Sequence, residues 1–282
     1  MEDAGGGVVL VGQLTDTHVA AEGPDGAPLD ELFVDNNARL VAAVASINAE
    51  VPALDVLLGT GDLTNWARPA EYDILAELMA PLTVPFLPLP GNHDDRDLLR
   101  ATFPDAPWVD AAHASWVTVV EGVQIVGLDS TRPGEPGAEF DGEREAWLRS
   151  VLSERHEGVT LLALHHPPFA TGVGWMDGSG FVGLEQLRAV LTEHRVDKVM
   201  CGHFHRPASS TIAGIPVQVG LATVQHVDLD LAPDAGVSLV IDPVGYQIHR
   251  VSAGTVVTHT RYIDTKERAS TRRIIPSWAD DF

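Results

Sequence analysis

Six short apolar runs punctuate the first 201 residues: VVLVGQL at 8–14, LDVLLG at 54–59, VPFLPL at 84–89, VQIVGL at 123–128, VTLLAL at 159–164 and VDKVMC at 196–201. Continuous apolar stretches of this length, rich in β-branched residues, are what strands covered on both faces look like. Between them, 29–50, 68–80 and 183–194 carry apolar residues at helical spacing. Strands alternating with helices build parallel sheets, so the sequence predicts an α/β protein. With 282 residues and 45% hydrophobic content the chain can bury a large core, and one domain over 1–263 is expected. From Ile215 the alternation gives way to consecutive strands, IPVQVG, GVSLVID, GYQIHRV and TVVTHTRYI, which predict a second sheet in the same domain. Residues 264–282 lack periodicity and read as a C-terminal surface extension that Trp278 could anchor.

Polar clusters stand just past five of the six runs: Asp16-Thr17-His18, Gly61-Asp62, Gly91-Asn92-His93-Asp94, His165-His166-Pro167-Pro168 and Gly202-His203-Phe204-His205. In an open α/β sheet ligands bind beyond the carboxyl ends of the strands, so the five clusters converge on one site. Carboxylates, an asparagine and at least four imidazoles form a mixed oxygen and nitrogen donor set that suits Zn, Mn, Fe or Co and is too rich in imidazole for Ca or Mg. Residues two apart on an extended strand end point to one side, so Asp16 and His18 are expected to grip one ion together, as are His203 and His205. The ligands outnumber what one tetrahedral ion needs. Two ions are therefore expected, with Asp62, alone in a tight Gly-Asp turn, as the bridge; two-metal hydrolases place their ions roughly 3.5–4 Å apart.

Composition narrows the substrate. A formal net charge of −22 opposes coating a nucleic-acid polymer or an anionic membrane, which depends on clustered Lys and Arg. The single cysteine, Cys201, precludes an internal disulfide and reads as a small buried apolar side chain. The acidic start MEDAGGG does not resemble a signal peptide and no apolar run approaches a membrane span, so a soluble, cytoplasmic protein is expected, with a homodimer left open.

The ordered set D-x-H, G-D, G-N-H-D, H and G-H-x-H, over residues 16–205, resembles the calcineurin-like metallophosphoesterases. The fuller wording QLTDTH, GDLTN, LPGNHDD, LHHPP and CGHFH is similar to the bacterial class III cyclic-nucleotide phosphodiesterases and the related glycerophosphodiesterases. The resemblance implies a four-layer αββα sandwich with two mixed β-sheets. It implies one metal on Asp16, His18, Asp62 and His205, and a second on Asp62, Asn92, His165 and His203. Asn92 and His93 would then meet the substrate phosphate, His93 acting as the catalytic residue without binding metal, and Asp94 would orient a neighbour. The activity implied is a metal-dependent phosphodiesterase acting on 3′,5′-cAMP or 2′,3′-cyclic nucleotides, the alternatives being a glycerophosphodiester or broad-specificity enzyme and a non-catalytic scaffold. His166 is expected to pack beside the site, and His113, His156, His194, His226, His249 and His259 to be surface or core residues. Trp175, Met176 and Asp177, in the stretch 170–181, either line the pocket or pin a Gly-rich loop. Arg96, Arg132 and Arg206 are read as surface residues that could reach a phosphate oxygen.

Overall fold

The computed structural model describes residues 7–21, 35–263 and 273–274. In chain order the elements are β1 (Val9–Leu14), α1 (Asn36–Asn48), β2 (Val56–Thr60), α2 (Pro69–Met79), β3 (Phe86–Leu89), α3 (Arg96–Thr102), β4 (Trp116–Val120) and β5 (Val123–Leu128). Then follow β6 (Thr131–Arg132), β7 (Glu135–Glu139), α4 (Gly142–Ser153), β8 (Thr160–Leu164), α5 (Gly174–Asp177), β9 (Phe181–Val182), α6 (Leu184–Glu193) and β10 (Lys198–Cys201). The chain closes with β11 (Ala208–Ile212), β12 (Ile215–Val219), β13 (His226–Val227), β14 (Ser238–Val240), β15 (Gly245–Ser252), β16 (Thr255–Tyr262) and β17 (Arg273–Ile274).

Two mixed sheets carry the structure, ordered β16-β15-β1-β2-β3 and β11-β12-β10-β8-β5-β4. β1, β2 and β3 run parallel, as do β5, β8, β10 and β12, while β15, β16, β4 and β11 pair antiparallel at the margins. The late strands after Ile215 are divided among the sheets: only β14 lies in a small sheet made of late strands, with β13 and β17. β12 extends the sheet of the middle strands, and β15 and β16 cross to cover β1. Apolar periodicity reports how a strand is buried but not whom it pairs with, and each parallel sheet had an open edge that the late strands cover.

Alternation along each strand sorts side chains into three layers of core. Val9, Val11, Val56, Leu58, Ile125, Leu161, Ala163 and Met200 meet between the two sheets. Leu57 turns outward with Leu40, Val44, Leu75 and Leu99 of the helices over the first sheet, and Val126, Leu162 and Val199 turn outward against Leu148, Leu187 and Val190 of α4 and α6. Helix, sheet, sheet, helix is the four-layer αββα sandwich expected from the sequence. The helices α1, α3 and α4 start where Asp35, Asp95 and Asp141 accept from backbone N–H groups of the first turn. Of the presumed extension 264–282, only Arg273–Ile274, a backbone pairing with β14, lies within the described residues; the boundary at 263 and the place of Trp278 lie outside them. Among the described residues no helix is long and apolar enough to cross a membrane.

Candidate functional site

All five polar clusters lie where the carboxyl ends of parallel strands from both sheets come side by side. β1, β2 and β3 deliver Asp16 and His18, Asp62, and Asn92 to Asp94; β8 and β10 deliver His165 and His166, and His203 and His205. The loops are tied together by their backbones: Asp16 N–H donates to Gly61 O at 3.0 Å, His18 N–H to Asp62 O at 3.0 Å and Gly202 N–H to His165 O at 2.8 Å.

The backbone is strained at the residues that carry the chemistry. Asp16, His18, Asp62, His203 and His205 have φ of 51°, 40°, 50°, 69° and 54°, a left-handed conformation that costs a non-glycine residue on the order of 1–3 kcal/mol. The D-x-H pair is therefore not on an extended strand end: β1 stops at Leu14, and tight turns rather than pleat bring Asp16 and His18 into one group. For His203 and His205 the same-side expectation fails outright, because the turn sends the two rings into different groups. Glycines make the close approaches: a Cβ on Gly91 would overlap Asp62 Oδ1, and one on Gly61 would overlap the His165 ring.

Asp16, His18, Asp62 and His205 each bring a ligand atom to within 4.8 Å of the others, and so do His165, His166 and His203. Asp62 joins the two groups, its Oδ2 lying 3.7 Å from His18 Nε2 and 3.2 Å from His165 Nε2. Asn92 Oδ1 lies 3.2 Å from His165 Nε2 and 3.0 Å from His203 Nδ1. Hydrogen bonds fix the tautomers. His18 Nδ1–H donates to Asn65 Oδ1 at 3.1 Å and His205 Nδ1–H to Gln225 O at 2.9 Å, so in the neutral rings two bare Nε2 lone pairs face one another at 3.1 Å. His165 Nδ1–H donates to Thr60 O at 2.8 Å and presents Nε2 to Asp62 and Asn92. Lone pairs and carboxylates facing inward repel unless cations lie among them. The donor set fits transition-metal ions.

Charge follows the same logic. Burial, helped by His93 for His18 and by His166 for His203, holds both imidazoles well below their ordinary pKa, so they are neutral donors. Burial also lowers His165, but the adjoining Asp62 carboxylate and the nearby Asp16 outweigh it and push the ring up to about 9. Burial would raise Asp62, yet His165 and His93 hold it well below the usual carboxylate range.

His166 shares the second group by distance but has no donor to spare. Its Nε2–H donates to Pro136 O at 3.2 Å and its Nδ1 accepts from Ser130 Oγ at 2.9 Å, and burial with His165 lowers its pKa to about 3. His93 stands apart from both groups. Its backbone N–H donates to Asp62 Oδ1 at 2.8 Å and its Nδ1–H to Asn65 O at 2.8 Å, which leaves Nε2 as its uncommitted ring nitrogen. The half-buried Asp94 ties the Gly-Asn-His-Asp turn to the Gly-Asp turn, accepting from Gly91 N at 2.9 Å, Leu63 N at 3.0 Å, Thr64 N at 2.9 Å and Thr64 Oγ1 at 3.0 Å.

A pocket of about 90 Å³ lies over the two groups, lined by His18, Asp62, Asn92, His93, His203 and His205 and roofed by Trp175, Met176 and Ser179. Both readings of 170–181 hold: Trp175 and Met176 line the pocket, while Asp177 pins the loop by accepting from Thr171 N at 2.7 Å and Gly172 N at 2.9 Å. Of the three arginines, Arg96 is committed to Asp129 at 2.6 Å and Arg206 to Asp242 at 3.0 Å; Arg132 is exposed. Sequence reasoning missed Asn65 and Gln225, which set the tautomers of His18, His93 and His205. Asn65 stood within GDLTN, a visible signal. Gln225 acts through its backbone carbonyl and left none.

Residues 9–207 match the family described as calcineurin-like phosphoesterase. A probable glycerophosphodiester phosphodiesterase GpdQ of Arcobacter nitrofigilis is 32% identical over 259 residues, covering 90% of this chain and 93% of that protein. The 3′,5′-cyclic adenosine monophosphate phosphodiesterase CpdA of Escherichia coli K12 is 32% identical over 204 residues, 72% of each. A purple acid phosphatase from yellow lupin superposes with a TM-score of 0.59 at 14% identity, over 92% of this chain and 54% of that one. This last likeness concerns the fold alone.

Proposed function

Because this chain belongs to the calcineurin-like phosphoesterase family, we propose that it is a dinuclear, metal-dependent phosphodiesterase whose substrates are cyclic nucleotides. The observation that carries the reading is Asp62, a single buried carboxylate lying against ring nitrogens of both groups. Asp16, His18, Asp62 and His205 would hold one ion, and Asp62, Asn92, His165 and His203 the other, drawn from Fe, Mn, Zn or Co. When bound, such a pair offsets charge on the phosphoryl oxygens and lowers the pKa of a shared water to about neutrality.

The protein's own groups do the rest. Asn92 and His93 line the pocket and meet the phosphate. His93, steadied by its bond to Asn65 O, keeps Nε2 uncommitted, where it can carry a proton to the departing oxygen. Sequestering the small pocket beneath Trp175 and Met176 favours a compact diester over a polymer, in keeping with the net charge of −22. The near full-length likeness to a probable glycerophosphodiesterase favours glycerophosphodiesters as the second reading. The protein would act in the cytoplasm, and a homodimer is compatible with the reading. Assay of the Mn-loaded protein against 3′,5′- and 2′,3′-cyclic nucleotides, glycerophosphoethanolamine and a phosphomonoester tests it. Cyclic nucleotides should turn over fastest; turnover confined to the monoester would refute the phosphodiesterase.

A further inference from the structure

The pocket over the metal-ligating groups, at about 90 Å³, has room for little more than the phosphate. The organic part of any diester must therefore lie outside it. A groove of about 720 Å³ opens directly beside it, sharing Asn65, Asn92, His93 and Pro136 with the small pocket, a size in the range of small-molecule sites. Trp66 and Arg132 are among its lining residues.

Trp108, Trp116, Trp147 and Trp175 all pack on one of the three apolar cores, whereas Trp66 joins none and is 49% exposed. Its loop is nevertheless rigidly held: the buried Glu71 accepts from Trp66 N at 2.8 Å and from Arg68 N at 3.1 Å. The indole stands edge to face with His93, ring centroids 6.3 Å apart. A large aromatic surface half-exposed on a fixed loop is pre-organised to receive a flat ligand, with little ordering cost on binding. Arg132, exposed and without an ion pair among the described residues, is the groove's available cation, since Arg96 is held by Asp129. Asp95, Asp97 and Glu135 rim the rest and oppose a long polyanion.

We propose that Trp66, with Arg132 in the same groove, forms a nucleobase subsite: the base stacks on the indole while the phosphate sits in the small pocket, so that Trp66 selects nucleotides over glycerophosphodiesters. The proposal rests on the phosphodiesterase reading for its phosphate position. Base stacking on an aromatic side chain corresponds to roughly 5- to 150-fold in affinity.

The test compares the Mn-loaded wild type with Trp66→Ala and Trp66→Phe. Calorimetry measures binding of adenosine 5′-monophosphate and of glycerol 3-phosphate, and kinetics follow 3′,5′-cAMP and glycerophosphoethanolamine. Trp66→Ala should weaken the nucleotide and raise KM for cAMP by about 5- to 150-fold with kcat held, leave both glycerol compounds within about twofold, and unfold at the wild-type temperature because no core is touched. Trp66→Phe, which keeps a stacking face, should restore most of the loss. Equal losses of kcat on cAMP and glycerophosphoethanolamine would mean that Trp66 merely positions His93 and would overturn the subsite. Unchanged nucleotide affinity in Trp66→Ala, or no nucleotide binding by the wild type, would overturn it too. If the wild type binds the nucleotide through Trp66 yet hydrolyses no diester, the subsite stands and the phosphodiesterase reading falls.

Discussion

Asp94→Asn is the most discriminating single change, because it keeps the shape of the residue while removing its charge and turning one acceptor into a donor. The carboxylate takes two donors on each oxygen, Gly91 N and Leu63 N on one, Thr64 N and Thr64 Oγ1 on the other. An amide has one oxygen and one NH2: turned toward Leu63 and Gly91, the NH2 opposes two backbone donors, whereas turned toward Thr64 it opposes only Thr64 N, because the hydroxyl can reverse and accept from it. Hydrogen bonds to a charged group contribute roughly 1.5–3 kcal/mol each. Since Asp94 is half-buried, the low end applies, and about 1.5–3 kcal/mol of destabilisation is expected for the one or two bonds lost. The loss falls on the contact between the turns that carry Asp62 and Asn92, so those two metal-facing groups should separate. Changes behind metal ligands typically cost about 10- to 100-fold in affinity or activity. The assays are Mn titration by calorimetry, urea unfolding of the metal-free protein, and kcat on a phosphodiester. Thr64→Val removes the Thr64 Oγ1 donor to Asp94 at 3.0 Å and its longer bond to His93 O at 3.3 Å, keeps the charge of Asp94, and should cost less. If Asp94→Asn binds Mn as the wild type does and unfolds at the same urea concentration, the role assigned to this carboxylate is wrong.

Four further outcomes are expected. Asp62→Ala should lose bound metal and at least about a hundredfold in rate together while remaining folded, since the cations supply several kcal/mol; near-normal turnover would end the two-metal reading. His165→Ala should lower Mn affinity more than His166→Ala, whose ring nitrogens are already occupied; the reverse order would exchange the two assignments. His93→Ala should slow an alkyl phosphodiester by about 10²- to 10⁴-fold but bis-p-nitrophenyl phosphate far less, with metal content unchanged; equal losses would make His93 a phosphate-binding group instead. His249 is neutral between the sheets, burial and then Lys198 lowering it to about 3. Because its folded pKa lies below its unfolded 6.5, its contribution is intact above 6.5 and is lost as pH falls toward 3, at up to about 1.4 kcal/mol per pH unit. His249→Gln should flatten acid unfolding by that slope; parallel curves for variant and wild type would refute it.

How much of this was legible depended on whether a property is local. The runs 54–59, 123–128 and 159–164 became buried strands because their composition demanded burial on both faces. The motifs placed Asp16, His18, Asp62, Asn92, His165, His203 and His205 at strand ends, and the fold then brought those ends together. What could not be read was partner choice and backbone sign. Nothing in GYQIHRV says that β15 crosses over to pair with β1, because a both-sides-buried strand fits several neighbours equally. Likewise Gln225 holds His205 through a main-chain carbonyl that every residue possesses.

The sign of φ is the deeper case. Extended geometry for Asp16-x-His18 and for His203-x-His205 predicts the same outcome for both pairs, yet the structure keeps the first pair together and splits the second. All four residues are left-handed, so direction is set turn by turn and not by counting residues along a pleat. Aspartate and histidine are among the residues that tolerate this conformation best, but they do not prefer it. Strain at five such positions, on the order of 1–3 kcal/mol each, persists only where the surrounding structure over-determines it. Here the loops are clamped by their own backbone bonds at 2.8–3.0 Å and stand on strands with both faces covered. The large, regular sandwich is thus what lets a small, irregular site exist: the core supplies the stability that the left-handed turns spend in aiming carboxylates and imidazoles at the same few ångströms.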